Sequence, residues 1–597
     1  MKNVTDALDS FSDAQKLFPV EWITEHPDKV EGVLANLSLE NQIRYAMQLR
    51  GAQMQNFINL SPCSQEVVRG LSPEQLYQMI KETGIGESLP VVAMMSENQL
   101  QYSFDLEWWQ HDRFVPERAM EWLEFLDQCD DSSIFEWLQS EDFDQKVALF
   151  QSLIKVYKDD EMTNSYEGVE SMPHLSLDGV YDIYFKIKEP GALKRLLILL
   201  RSEDPKLYNS ILEAVIWYPT TQTVEKAYRW RLIRTAERGL PDFEESMQIY
   251  SRPSPEGLKL LIPQLEDFTY QGEFNIAPTY PLALMEPVPF LKDVILRLGS
   301  SARLNTVCWE FIYLANKVMV ADQVNPSDLE MRKESLQKML GYINIGLEIG
   351  SCGDLERGAK LLSHTHALPF FQTGYYKLMD LKWKAENFLR ENGSFLEWIL
   401  TDYHKDLLAA FLDRFPRVAQ VGDKKSFSWR HFESIQDVRN AESFLDSWAF
   451  NLRFARKGLS LNENIAKQYL RMCDFPKEHE ADLNIWTITA FANHTLYNKI
   501  SCSPLSDLAA KSFLEIIFLP VIFKEEERQC DSALVESFKQ KLLELPLAWT
   551  EKDQDFLSKL LNKCVLHLQE EFGHLDLKDK VDWRFANGFC IAKNLRH

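Results

Sequence analysis

With 597 residues and a formal charge of −24, from 65 Lys and Arg against 89 Asp and Glu, the chain is too long for one hydrophobic core and too acidic to hold a phosphate backbone without a local basic patch. A hydrophobic content of 45% excludes global disorder, since it offsets chain entropy without disulfides or metals. Nine cysteines without paired spacing, a polar N-terminus, and no apolar run of about 18 residues argue against a disulfide scaffold, a secretory leader and a membrane span, which makes the cytoplasm the expected location.

Residues 1–157 repeat one helix-start signal, a serine just ahead of an amphipathic run. Ser38 precedes LENQIRYAMQL, Ser61 precedes PCSQEVVRGL, Ser72 precedes PEQLYQMIKETG, and Ser96 precedes ENQLQYSFDLEWW. A serine hydroxyl at the N-cap accepts from an orphan backbone N–H, Pro62 and Pro73 suit the first helical position, and Gln75 and Gln99 fit capping boxes. Ser38 to Ser72 and Ser61 to Ser96 span 34 and 35 residues, a spacing that predicts either a superhelical array of helix pairs or a short-helix bundle. In rhythm the region resembles the cytoplasmic helical domain of MgtE-type magnesium channels. Trp108, Trp109, Trp122, Phe125, Phe135, Trp137 and Leu138 are spaced as an aromatic-rich helical core.

Residues 158–250 are expected to hold a polar linker, a small hairpin and an Arg-rich helix. HLSLDGVYDIYFKI gathers β-branched and aromatic residues about Asp178-Gly179, which predicts a small β-hairpin near 175–187. Helical pattern returns over Ala192–Ile216 and Val224–Ala236 and stops at Gly239-Leu240-Pro241. Residues 251–290 are rich in proline and read as an extended connector. From 291 to 597 the expectation is an all-α domain, with helices near 303–321, 328–349, 354–364, 373–392, 404–414, 437–457, 484–499, 505–523, 532–545 and 551–571. The predicted fold class is mostly α and multi-helical.

LSPEQLYQMIKETG, FDLEWWQHDRF with AMEWLEFL, LDGVYDIYF and EKAYRWRLIRTAERGLPDFEESMQIY together resemble a bacterial domain-of-unknown-function family, DUF6178, in order over most of the chain. The family has no established activity, so the resemblance implies a shared fold and supplies neither substrate nor site residues.

Phosphate-loop, GxSxG, HExxH, CxxC and dinucleotide patterns are absent, and Gly84-Ile85-Gly86 lacks the third glycine, so the reading leans away from an enzyme and calls for no cofactor. The strongest candidate binding feature is Arg229, Arg231, Arg234 and Arg238. On a helix, Arg231, Arg234 and Arg238 recur at i, i+3 and i+7, while Glu225 and Arg229 pair at i, i+4. Guanidinium groups grip carboxylates and phosphates bidentately, so the stripe suits an acidic ligand or partner; its other reading is an internal ion-pair network with Glu237, Glu244 and Glu245. Cys352, His364 and His366 match no standard metal module, and Asp127, Asp130 and Asp131 read as a solvated turn, so no metal site is expected. LGYINIGLEIGSCGDLERGAKLL resembles one tetratricopeptide-type helical hairpin with small residues at the crossing.

The expected function is a helical scaffold or adaptor for another protein, with no nucleic acid bound. The alternative is a ligand-binding sensor or enzyme with an Arg-lined pocket for a phosphate- or carboxylate-bearing small molecule.

Overall fold

The computed structural model describes residues 18–110, 112–129, 131–158, 169, 171–252, 288–298, 302–325, 328–421, 427–473, 481–519, 528–575, 583 and 588–593. The chain divides into two compact units, Met1–Tyr375 and Tyr376–His597. The fold is mostly α, as expected, and the described strands form short antiparallel sheets. Most of the proline-rich stretch and of the polar stretch after Lys158 lies outside the described residues.

Unit 1 opens with short helices: α1 (Trp22–Glu25), α2 (Pro27–Leu34), α3 (Leu39–Ala46), α4 (Gly51–Leu60), α5 (Ser64–Gly70), α6 (Pro73–Thr83), α7 (Leu89–Met94) and α8 (Glu97–Glu107). The serine signals mark an N-cap at three of four positions, and the capping bond forms at two of them; the Ser38 side chain makes none. Ser38 sits extended at the N-cap of α3, Ser72 accepts from Gln75 N at 3.3 Å, and Ser96 closes a capping box with Gln99. Ser61 departs from the expectation. Because α4 runs to Leu60, Ser61 ends that helix, and Cys63 takes the N-cap of α5. Two buried glutamines join these helices by the same device. Gln42 Nε2 donates to the Leu34 and Leu37 carbonyls at 3.0 Å, and Gln99 Nε2 donates to those of Val68 and Leu71 at 2.8 Å. Each satisfies carbonyls that an ended helix leaves orphaned.

A two-residue hairpin, β1 (Trp109–Gln110) and β2 (Arg113–Phe114), leads to α9 (Pro116–Leu126), α10 (Asp131–Gln139) and α11 (Phe143–Leu153). Here lies the aromatic core. The Phe104 and Trp108 rings stack with centroids 3.9 Å apart, and Trp137 meets both edge-on at 5.0 and 5.6 Å. The predicted hairpin is one edge of a three-stranded sheet ordered β3 (Ile154–Lys158), β5 (Tyr181–Phe185), β4 (His174–Leu175). Asp178 Oδ1 accepts from Val180 N and Tyr181 N, and Gly179 takes a φ of 69° that few other residues adopt. Strand β3 was not legible because it follows α11 without a break.

Next come α12 (Gly191–Glu203), α13 (Pro205–Trp217), α14 (Thr220–Glu237), α15 (Phe243–Met247), α16 (Pro289–Leu298), α17 (Ala302–Ala321), α18 (Leu329–Ser351), α19 (Leu355–His364) and α20 (Ala367–Asn392). The helical hairpin read from LGYINIGLEIGSCGDLERGAKLL is α18 and α19, turned by Cys352 and Gly353 at positive φ. Its tightest crossing is with α20: a Cβ on Gly346 would lie 2.0 Å from the Phe370 carbonyl oxygen, and one on Gly374 2.0 Å from that of Tyr342. Backbone meets backbone there because neither glycine has a side chain.

Unit 2 contains α21 (Asp402–Leu412), β6 (Arg417–Val421), β7 (Phe427–His431), α22 (Ile435–Arg453), α23 (Glu463–Arg471), α24 (Leu483–Tyr497), α25 (Asp507–Ile517), α26 (Ser532–Leu543) and α27 (Glu551–Phe572). The helices match the periodicity reading except for α23, which it omitted. The expectation of an all-α second half needs one correction, the antiparallel β6–β7 pair. Only its second strand, FSWRH, begins with the alternation of a strand, which a scan for helical spacing passes over. Helix α24 is buried almost all round.

Candidate functional site

In α14 only Thr223, Ala227 and Thr235 are fully buried, so an apolar seam is too narrow to hold the helix down. Its arginines do that instead. Arg231 Nε donates to the Asp105 carbonyl at 2.6 Å. Arg234 grips the Asp105 carboxylate with both prongs, at 2.8 and 2.7 Å, and its Nη1 lies 2.6 Å from Asp142 Oδ2. Arg238 reaches Glu74 at 3.2 Å. The Arg231 guanidinium also lies over the rings of Trp109 and Tyr228, and that of Arg238 over Tyr102. Arg229 alone of the four points outward, with its side chain 71% exposed and paired to Glu225 at 2.5 Å.

Three arginines of the stripe are thus spent inside unit 1, on Asp105, Asp142 and Glu74. The carboxylates named from sequence are not their partners: Glu237 and Glu244 are exposed, and Glu245 instead accepts from Tyr313 at 3.0 Å and pairs with Lys317 at 2.9 Å. The reason is direction. Residues near in sequence lie along or beyond the helix end, whereas the inward side of α14 faces α8, more than a hundred residues upstream.

Helix α8 is the hub, buried at every position from Gln99 to Glu107. Gln101 Nε2 donates to Asp105 Oδ1 at 2.9 Å and to Gln145 Oε1 at 2.6 Å, and the Trp137 indole donates to Gln101 Oε1 at 2.7 Å. Burial pushes the Asp105 carboxyl up from the usual carboxylate range, while the Arg234 hydrogen bonds and the Arg231 charge pull it down. Arg231 is lowered, again by burial. Two residues on, Glu107 accepts from Tyr77 at 2.7 Å and Lys81 at 3.1 Å, and burial with the Glu107 charge raises the Tyr77 phenol.

Tyr77, Tyr102 and Leu106 form a small core apart from the main one, with Leu240 packed on it. Beside them lies a cavity of about 50 Å³, bounded also by Glu74, by the end of α17 and by Arg332 and Leu336 of α18. A buried cluster fixes α17 against α18: Lys338 pairs with Asp322, which also accepts from Tyr250 OH at 2.8 Å. Sequence reasoning passed over Asp105, Glu74 and Arg332. For Asp105 a signal existed, since it and Glu107 interrupt an aromatic run in QLQYSFDLEWW whose helix is otherwise built for burial.

Among the described residues no three His, Cys, Asp or Glu side chains are grouped to hold a metal ion. His364 Nδ1 lies 2.8 Å from the Lys360 carbonyl, His366 Nδ1 lies 3.0 Å from Glu310, and Cys352 is exposed at the end of α18. Asp127 pairs with Arg195, and Asp130 lies outside the described residues. No described helix is long and apolar enough to cross a membrane.

Fold and site define a mostly helical protein whose first unit is organised around a buried, charged helix. The chain belongs to DUF6178, a family of unknown function, whose profile matches residues 31–592. No curated protein and no solved structure matches it, and the resemblance to the MgtE-type domain finds no support.

Proposed function

We propose that the protein is a cytoplasmic helical scaffold or adaptor that binds another protein through the outer face of α14. One observation carries this reading. Trp230 and Ile233, 52% and 48% exposed, stand one turn apart on the exposed side of the helix, flanking its buried arginines. Lys226, Arg229 and Glu237 surround them and are exposed as well. An exposed tryptophan next to an aliphatic side chain and rimmed by charge has the composition of a binding hot spot. The internal ion pairs of Arg231, Arg234 and Arg238 hold this face rigid, so their part in recognition is to position it. Arg229 and Lys226 favour a partner with an acidic rim. A charge of −24 disfavours nucleic acid.

The test is affinity capture of the tagged chain from its native cell after gentle crosslinking, with mass spectrometry of what co-purifies. A partner recovered with the natural chain and lost with Trp230→Ala plus Ile233→Ala, at unchanged thermal stability, supports the proposal. A partner retained by that double variant defeats it.

A further inference from the structure

Arg332 is 7% exposed, in the second turn of α18. Its Nη1 is buried without a hydrogen-bond partner, and among the described residues no carboxylate pairs with this side chain. The other charges at the cavity are committed: Glu74 to Arg238 at 3.2 Å, and Glu107, behind Tyr77, to Lys81 at 3.1 Å. A buried, unpaired cation is costly, and a guanidinium does not shed its proton at neutral pH, so this site calls for an anion.

The cavity limits which anion fits. At about 50 Å³ it has room for roughly three to five water-sized groups, one third of a cavity that takes benzene. Leu106, Leu240, Ala315, Met319, Val320 and Leu336 give it an apolar wall. A phosphate dianion needs more charge and more donors than one guanidinium supplies, and that wall offers it nothing. A carboxylate with one or two carbons behind it matches both ends: the fork for its oxygens, the wall for its alkyl group. We propose that the cavity is a binding site for a small aliphatic monocarboxylate, of acetate to propionate size, anchored by Arg332. The site lies apart from the outer face of α14, so it stands or falls separately from the adaptor reading.

The experiment is calorimetric titration of the full chain with sodium acetate and sodium propionate at constant ionic strength, with inorganic phosphate as a second probe. Saturable binding of acetate or propionate, and none of phosphate, is expected. Arg332→Met is expected to weaken it by about tenfold or more, the contribution of a charge-assisted hydrogen bond. Ala315→Leu keeps the charge but fills the space and is expected to weaken binding similarly, so it decides the matter if Arg332→Met does not fold. Absence of saturable carboxylate binding to the natural chain would overturn the proposal, leaving a cavity that holds water only. Phosphate binding tighter than acetate would overturn it too, as would carboxylate affinity unchanged in Ala315→Leu.

Discussion

Helices α8 and α24 are each buried almost all round within their own units, yet they satisfy their polar groups in opposite ways. In α24 the polar side chains are neutral and bond to backbone. Thr487 donates to the Leu483 carbonyl, Thr489 donates to that of Ile485 and accepts from Cys590 N, and Asn493 donates to Ser501 and Ser503 carbonyls. In α8 the polar groups include Asp105 and Glu107, and side chains from α6, α11 and α14 satisfy them. Neutral groups with backbone partners can be lost one at a time. A charged group held by distant side chains fails as a unit, because the low dielectric that strengthens it also penalises any orphan.

The largest expected effect follows directly. Arg234→Ala leaves the Asp105 carboxylate buried without its bidentate partner and is expected to cost about 3–5 kcal/mol in urea denaturation. Asp105→Asn combined with Arg234→Gln removes both charges of that pair and is expected to recover part of the loss, the remainder being the Asp142 carboxylate that also loses Arg234. A double variant as unstable as the single one would show that packing of α14, rather than charge, decides. The counterpart in α24 is Thr489→Val, which keeps the volume but leaves the Cys590 N–H unsatisfied. An expected cost of about 1–2 kcal/mol, from the same measurement, places it below Arg234→Ala; equal costs would break the contrast.

The two helices also show what was legible in the sequence. Periodicity placed nearly every helix of the second half, since an amphipathic pattern is a local property, and the Asp178-Gly179 turn announced its hairpin for the same reason. The Arg stripe was visible as a stripe, but its partners were not. Asp105 is 129 residues from Arg234 and Glu74 is 164 from Arg238, and nothing in either segment encodes the pairing. The cavity at Arg332 joins α6, α8, α17 and α18, and no single stretch of chain contains it. Strand β3 was hidden by continuity with α11, where the pattern changes period without a turn residue to mark it.

A pH titration sharpens the contrast from the side of unit 2, where burial among aromatic rings acts on a neutral group. His404 packs against Tyr403, Phe444 and Trp448, and burial, aided by the Lys563 charge, lowers its pKa to about 4. With the folded value depressed, the unfolded chain takes up a proton that the folded one refuses. This contribution to stability is therefore complete above about 6.5, declines as pH falls, and is gone near 4. Partial exposure reduces it to about 1 kcal/mol. His494, lowered by burial as well, adds in the same sense. The natural chain is expected to lose urea resistance between pH 7 and 5 and His404→Leu to lose less; identical slopes would remove His404 from the account.

The smallest expected effect separates exposed from buried arginine within a single helix. Arg229 pairs with Glu225 at i, i+4 in full view of solvent, where screening and side-chain entropy leave such a pair about 0.3–0.5 kcal/mol. Arg229→Ala is expected to lie within that amount of the natural chain in urea, although Arg229 is five residues from Arg234 and equal to it in charge. Adding 0.5 M salt is expected to erase the Arg229 difference and to leave that of Arg234→Ala nearly intact, because the Asp105 pair is shielded from counterions and the Glu225 pair is not. If both differences fell together with salt, the Asp105 cluster would be electrostatically open to solvent. Arg234 would then be a surface arginine in its energetics, and the distinction between the charged interior of unit 1 and the neutral interior around α24 would not hold.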